Sequence, residues 1–198
     1  MSQTILTRRD PASGCGLRKV LSVQQTPQPP SPIPNPPEDL LEVKGLWDSF
    51  VFDSFTAEDA WELGHLLYAR LLPFSLEKPT LVSISLANSG QVLFQTAVGS
   101  GTAPDNEIWV QRKRNTVLRF GASTWFMHCK FDGDEEAFRV KYGMSPEQAQ
   151  KYAIHGGAVP IRVKGVEGIV AVIIVSGLKQ HEDHGVIFDT IKENWHPI

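Results

Sequence analysis

Cysteine is scarce in this chain, which has only Cys15 and Cys129 among its 198 residues. Two cysteines so far apart provide neither the disulfide framework of a small secreted domain nor a Cys-x-x-Cys metal or redox motif. The scarcity favours a reducing compartment, and we expect a cytoplasmic protein. The sequence also lacks a Gly-x-Ser-x-Gly elbow, a His-Glu-x-x-His zinc motif and a glycine-rich kinase loop, so we assign no catalytic residue.

A long apolar run is missing as well. The longest, IVAVIIV at residues 169–175, is far shorter than the roughly 20 residues that span a bilayer. Residues 1–30 contain no apolar core of a secretory signal. We therefore expect no membrane insertion.

The chain has no excess of positive charge. It carries 19 Lys and Arg against 22 Asp and Glu, for a net charge of −3. Nucleic-acid binding needs a basic surface, so this balance argues against a nucleic-acid partner.

Proline is unevenly distributed. Residues 1–37 hold eight of the 14 prolines, and TPQPPSPIPNPP at 26–37 holds seven of them. A segment so poor in aromatic residues buries too little apolar area to offset its ordering entropy. We predict a disordered or extended Pro-rich tail over 1–37, acting as a spacer or docking on a groove of a partner protein. Residues 38–198 are predicted to form a single domain.

The apolar pattern of that domain alternates between helical and strand periods. AEDAWELGHLLYARLL has an apolar stripe at helical spacing after Thr56, which is a suitable N-cap. LVSISLA and QVLFQTAV predict a hairpin, and a long helical stretch follows, bent near Gly121. AVPIRV and GIVAVIIVS predict two further strands, the second buried on both faces, before a last helix. This order indicates an α+β fold in which helices pack on an antiparallel sheet.

Several glycines are concentrated in residues 155–168, HGGAVPIRVKGVEG. Gly99 and Gly101 in GSGTAPD also follow a strand, but no third glycine stands at dinucleotide-fingerprint spacing, so a phosphate loop is not favoured there. Gly156 and Gly157 permit positive φ or close backbone approach. They indicate a sheet corner, with a planar ligand or a neighbouring subunit as the functional interpretation.

Two polar clusters remain. RKRNTVLRF places Arg112, Asn115 and Arg119 on one side of a helix, either as a solvated face or as a surface for carboxylates or phosphates. HEDH places His181 and His184 at i, i+3. A metal would need a third ligand such as His155, so a metal-dependent hydrolase is the weakest of the readings and we predict no metal site.

The motifs NEIWVQRKRNTVLRFGAS, HGGAVPIRVKGVEGIVAVIIVSGL and EDH together resemble the haem-degrading-domain superfamily, whose branches include the GlcG, HbpS and PduO C-terminal-type domains. The resemblance covers roughly residues 40 to 195. It implies a profilin-like antiparallel sheet of about five strands flanked by helices, and assembly into homodimers or larger rings. The positions matching the family pattern are Trp109, Arg112, Lys113, Asn115, Gly156, Gly157, Pro160, Gly165, Gly168, Ser176, Gly177, Asp183 and His184.

The resemblance also implies binding of haem or another tetrapyrrole, with weak haem degradation as an open extension. The expected ligand-binding residues are Arg112, Asn115, His155, Gly156, Gly157 and His184. The alternative is a non-enzymatic adaptor, since fungal relatives are connected with chaperone-linked delivery of tail-anchored membrane proteins. In that case the N-terminal tail and the C-terminal NWHPI would contact a protein partner.

Overall fold

The computed structural model describes residues 4–198 of the chain, which form seven strands and eight α-helices. The strands are β1 Ile5–Arg8, β2 Phe50–Phe52, β3 Thr80–Leu86, β4 Val92–Val98, β5 Ala158–Val163, β6 Ala171–Ser176 and β7 Trp195–Pro197. The helices are α1 Cys15–Gln25, α2 Leu40–Glu42, α3 Ala57–Leu71, α4 Pro104–Phe120, α5 Thr124–Lys130, α6 Glu135–Lys141, α7 Pro146–Ala149 and α8 Gln180–Asn194. A π-helical turn, Val43–Trp47, follows α2.

The strands form one sheet in the order β4-β3-β6-β5-β2-β1-β7. The predicted α+β class with helices on a sheet is confirmed; the sheet has seven strands where about five were predicted, because β1 and β7 add two. The sheet is also mixed, since β2 runs parallel to both β5 and β1. Strands of three or four residues show too little alternation to be recognised from sequence.

Helices cover both faces of the sheet. On one face α3 and α8 bury Leu63, Leu67 and Phe188 against the strands. On the other, α4 packs Val110 and Val117 onto β6. Every residue of β6 is buried, as the continuous apolar run predicted. The predicted bend also occurs, because Gly121 takes a left-handed conformation (φ 67°) and separates α4 from α5.

The structure places a strand and a helix within residues 4–37, where the sequence predicted a disordered or extended tail over 1–37; residues 1–3 lie outside the described part of the chain. β1 pairs with β2 and β7, and α1 docks on α3. The fully buried carboxylate of Glu62 on α3 accepts hydrogen bonds from the backbone of Gly14 and Gly16 and from the Cys15 thiol. Burial alone would raise the pKa of Glu62, but these donors hold it below its ordinary value. The low apolar content of this segment could not predict that a buried carboxylate would hold it against α3.

Residues 26–37 contain no helix or strand, yet they are held against the domain. We call residues 31–37 the proline strap. Arg70 donates to the carbonyl oxygens of Ser31 and Pro32, at 3.2 and 2.9 Å. Trp125 Nε1 donates to the Pro37 carbonyl oxygen at 2.7 Å. The strap crosses α8 at Gly185, where the absent side chain allows the Pro34 backbone to approach.

Gly185→Ala is expected to displace the proline strap. A methyl group here would collide with the Pro34 carbonyl oxygen and lie 3.0 Å from Ile33 Cγ2. Overpacking of this kind costs about 1–3 kcal/mol, which exceeds the roughly 1 kcal/mol that Ala gains over Gly in a helix. Limited proteolysis should cleave residues 26–37 faster in the variant. Gly45→Ala, which meets nothing within 4 Å, is the matched control, and equal cleavage of both variants would contradict the packing described.

The C-terminal WHPI is also part of the sheet. Residues 195–197 form β7 and pair with β1, and Trp195 is buried. The Ile198 backbone N–H donates to the Ile5 carbonyl oxygen, while its side chain stays exposed. An adaptor that used this segment as a free tail would have to detach it from β1.

Candidate functional site

A cleft of about 270 Å³ opens where β6 ends and α8 begins. It is lined by Asn106, Trp109, Lys113, His155, Ser176, Gly177, Leu178, Gln180 and Asp183. Asn106, Trp109 and Lys113 recur at i, i+3 and i+7, so they share one side of α4. The cleft is therefore formed by one helix side, one strand end and the first turn of another helix.

A buried ion pair forms the floor of the cleft. Lys113 Nζ lies 3.0 Å from Asp183 Oδ2 and donates to the Val175 carbonyl oxygen at 3.0 Å. The two side chains are only 3% and 4% exposed. Asp183 Oδ1 accepts from the Leu178 backbone N–H at 2.9 Å. Burial raises the pKa of Asp183, and Lys113 and the backbone donors oppose that rise.

His155 stands at the mouth of the cleft. Its side chain is 43% exposed, and its ring meets the Trp109 ring edge-on with centroids 5.0 Å apart. Nδ1 is buried, has no hydrogen-bond partner among residues 4–198 and lies 3.5 Å from Glu135 Oε1. Burial lowers the pKa of His155; Glu135 opposes this, while Lys113 and Arg112 add to it. The imidazole is therefore neutral at neutral pH.

Gly156 and Gly157 lie behind the cleft and contact groups of the chain itself. A Cβ on Gly156 would be 2.5 Å from the Gln180 carbonyl oxygen and 2.9 Å from Trp125 Cε3. Gly157 has φ +112°, and a Cβ there would collide with the Val175 carbonyl oxygen and Lys113 Nζ. The glycines permit the sheet corner that the sequence predicted, and the groups that approach them are internal.

Arg112 and Asn115 lie on a different side of α4 from Lys113. Arg112 Nε donates to the Tyr152 carbonyl oxygen at 3.0 Å, and Asn115 Nδ2 donates to the Lys151 carbonyl oxygen at 2.9 Å. The Arg112 guanidinium also stacks 4.5 Å from the centre of the Trp109 ring. Arg112 thus reaches the rim of the cleft, whereas Asn115 fixes the loop before β5.

His184 is separated from the cleft, in the aromatic core. Its ring is fully buried next to Trp125 and Phe188, and Nε2 lies 2.8 Å from the Trp47 carbonyl oxygen. Nδ1 has no hydrogen-bond partner among residues 4–198. Burial lowers the pKa of His184 to about 3, with a smaller contribution from Lys113. Of the six residues expected to bind ligand, the structure places His155 in the cleft lining and Arg112 at its rim.

Comparison with known proteins identifies the family of this chain. Residues 55–192 match the profile of the family described as haem degrading protein HbpS-like. The chain belongs to the HbpS-like family. Two UPF0303 proteins are similar: one from Streptomyces avermitilis is 34% identical, covering 79% of this chain and 91% of the relative. YBR137W from Saccharomyces cerevisiae is 40% identical, covering 73% and 78%.

Solved structures agree with the HbpS-like assignment. The crystal structure of Ybr137w superposes with a TM-score of 0.67 at 34% identity, covering 88% of this chain and 92% of that chain. The crystal structure of HbpS gives a TM-score of 0.52 at 20% identity, covering 70% and 89%, and supports the fold.

Lys113 and Asp183 were named from the sequence only as family positions, and their pairing was missed. Lys113 lies between Val110 and Val117 on the sheet-facing side of α4. A charged residue within an apolar stripe needs a buried partner, so the pattern contained a usable signal. Nothing in the sequence singled out Asn106 or Gln180 as cleft residues of this HbpS-like chain.

The HEDH motif does not bring its side chains together. Asp183 binds Lys113 in the cleft floor, and His184 lies in the core. Residues 4–198 contain no group of three or more His, Cys, Asp or Glu side chains placed to hold a metal ion. No helix in the described part of the chain is both long and apolar enough to cross a bilayer.

Proposed function

We propose that this HbpS-like protein binds haem or a related tetrapyrrole at the cleft, with His155 as the iron ligand. The observation that carries the proposal is the neutral, half-exposed imidazole of His155 at the cleft mouth. A neutral imidazole nitrogen is a common axial ligand of haem iron. The family description, which names haem degradation, supports the choice of ligand class.

The surrounding residues fit such a ligand. Glu135 Oε1 lies 3.5 Å from Nδ1 without a hydrogen bond; a small shift of either side chain would form one, and such a bond orients a histidine whose other nitrogen binds a metal. Trp109 offers an aromatic surface beside His155, and Arg112 supplies a cation for a carboxylate substituent at the rim. When bound, the haem iron would act as a Lewis acid that accepts a lone pair from the His155 imidazole.

The size and the charges of the cleft limit the proposal to binding. A volume of about 270 Å³ is at the lower end of small-molecule sites, so the cleft would hold only part of a macrocycle. Lys113 and Asp183 bind each other, which leaves neither available as an acid or base. We therefore propose no catalytic residue.

Hemin titration followed by absorbance in the Soret region tests the proposal. The wild-type protein should give a saturable shift, and His155→Ala should weaken binding at least about tenfold, or roughly 1.4 kcal/mol. His181→Ala, in the first turn of α8 and outside the cleft lining, is the matched control. A shift that never saturates, or one that His155→Ala leaves unchanged, would rule out this site.

The pH dependence gives an independent readout of the same site. Ligation requires the neutral imidazole, and burial lowers the pKa of His155. Affinity should therefore persist to a lower pH than an ordinary histidine ligand allows. It should fall only at lower pH, as the folded protein protonates His155.

A further inference from the structure

The proline strap begins with a serine that is followed directly by proline. The chain has three Ser-Pro or Thr-Pro pairs, which start at Thr26, Ser31 and Ser145. Thr26 is held at the end of α1, where its N–H donates to the Ser22 carbonyl oxygen at 3.0 Å. Ser145 caps α7 through a capping box with Gln148. Ser31 is exposed and lies outside any helix or strand, so a modifying enzyme reaches it without unwinding a helix.

The backbone around Ser31 suits an enzyme that binds an extended substrate segment. A residue before proline favours extended conformations, because the proline ring clashes with a helical one. Pro32 also has no N–H that a helix or sheet could use. The strap is anchored at this point by the two hydrogen bonds from Arg70 to the carbonyl oxygens of Ser31 and Pro32. Local opening of these two bonds frees the segment and leaves the core intact.

Ser31 lines a pocket of about 480 Å³ between α1, α3 and α8, which we call the strap pocket. Two cations line it as well, Lys19 and Arg70, together with two carboxylates, Asp189 and Glu193. Lys19 Nζ lies 4.0 Å from Glu193 Oε1, and both side chains are more than half exposed, so this pair is weak and solvent screens both charges. The Arg70 side chain is only 14% exposed, so its guanidinium is the fixed charge of the pocket.

Arg70 can accept a further anionic partner. A guanidinium has five N–H donors. Nε of Arg70 donates to Asp189 Oδ2 at 2.9 Å, and Nη1 and Nη2 each donate to one strap carbonyl oxygen. These bonds use one N–H on each nitrogen, so each Nη has a second N–H for another acceptor. Because Nη1 already contacts the Ser31 carbonyl oxygen, a phosphate on the Ser31 hydroxyl lies within reach of the guanidinium, and bonds to phosphate are about twice as strong as those to a neutral oxygen.

We propose that Ser31 is a phosphorylation site and that Arg70 pairs with the phosphate, which fastens the proline strap to α3. In the active site of a proline-directed serine kinase, the Ser31 hydroxyl oxygen attacks the terminal phosphorus of a nucleoside triphosphate. The new O–P bond forms as the bond between the β- and γ-phosphates breaks, the nucleoside diphosphate leaves, and the hydroxyl proton is released. Lys19 adds a second cation, and Asp189 keeps its bond to Nε. The strap pocket shares no lining residue with the His155 cleft, so this inference is independent of haem binding.

Incubation of the full-length protein with a proline-directed serine kinase and magnesium ATP tests the site. We expect one phosphate per chain, which peptide mapping by mass spectrometry should place on Ser31. Ser31→Ala should abolish incorporation, whereas Ser145→Ala, the matched control at the capped Ser-Pro pair, should leave it unchanged. No incorporation, or phosphate on Thr26 or Ser145 in place of Ser31, would overturn the proposal.

Phosphorus NMR of the phosphorylated protein tests the pairing with Arg70. The second pKa of a phosphoserine is ordinarily about 6, and a cation that binds the dianion lowers it. We expect a pKa of about 5 for the phosphate of the wild-type protein, a tenfold preference for the dianion, and about 6 in Arg70→Met. Arg119→Met removes an exposed guanidinium outside the strap pocket and should leave the wild-type value. Equal values in wild type and Arg70→Met would show that Arg70 does not hold the phosphate and that the strap is not fastened in this way.

Discussion

Lys113→Met is expected to lower the free energy of unfolding by about 3–5 kcal/mol, because it leaves the Asp183 carboxylate buried without its cation. The two charges lie 3.0 Å apart with side chains 3% and 4% exposed, so solvent cannot replace the lost partner. Chemical denaturation at neutral pH measures the change. The deficit should shrink as pH falls, since protonation removes the uncompensated charge of Asp183.

A double-mutant cycle separates the lost pairing from lost packing. Adding Asp183→Asn to Lys113→Met should recover stability, because the amide is neutral and its oxygen still accepts from the Leu178 backbone N–H. The control is Lys78→Met. It removes a pair of 3.1 Å whose side chains are 36% and 21% exposed, and should cost less than about 1 kcal/mol. Equal losses for Lys113→Met and Lys78→Met would contradict the buried pair.

Acid should destabilise the protein through His184. Its pKa is lowered to about 3 by burial, whereas the unfolded chain has the ordinary value near 6.5. Above pH 6.5 both states are neutral and the group contributes no pH dependence. Between pH 6.5 and about 3 the unfolded state binds a proton that the folded state does not. This group therefore lowers the free energy of unfolding by about 1.4 kcal/mol per pH unit over that window.

His184→Gln isolates this effect. The glutamine amide can still donate to the Trp47 carbonyl oxygen in place of Nε2, but it does not titrate. Denaturation curves between pH 7 and pH 4 should show a shallower slope for the variant, by about one proton. Some slope will remain, because burial also lowers the pKa of His128 and His155. If the free energy of unfolding falls equally steeply with pH in wild type and His184→Gln, the imidazole of His184 is not held buried and neutral.

Local patterns sufficed for several regular elements within residues 38–198. The apolar stripe after Thr56 predicted α3, and the structure adds a capping box in which Thr56 and Asp59 bond reciprocally. The continuous apolar run predicted β6 as a central strand. Such patterns are readable because periodicity reports burial over several residues.

The candidate site was predictable only in part. His155 was named from the glycine segment and lies in the cleft, whereas His184 of HEDH lies in the core. Both are histidines in plausible motifs, and spacing alone does not show which side of a helix faces the interior. That choice depends on the packing of α8 against α5 and the π-helical turn, which bring Trp125 and Trp47 to its ring.

The sequence by itself determined the α+β class, the main helices, the central strand and the family. Those features follow from composition, periodicity and ordered motifs, all of which are local. Only the tertiary structure decided that the segment with β1 and α1 packs on the rest of the chain, that Lys113 binds Asp183, and that His184 lies in the core. Each of these depends on partners 30 or more residues apart in the chain, such as Gly16 with Glu62 and Trp47 with His184, and only folding brings such groups within hydrogen-bond distance.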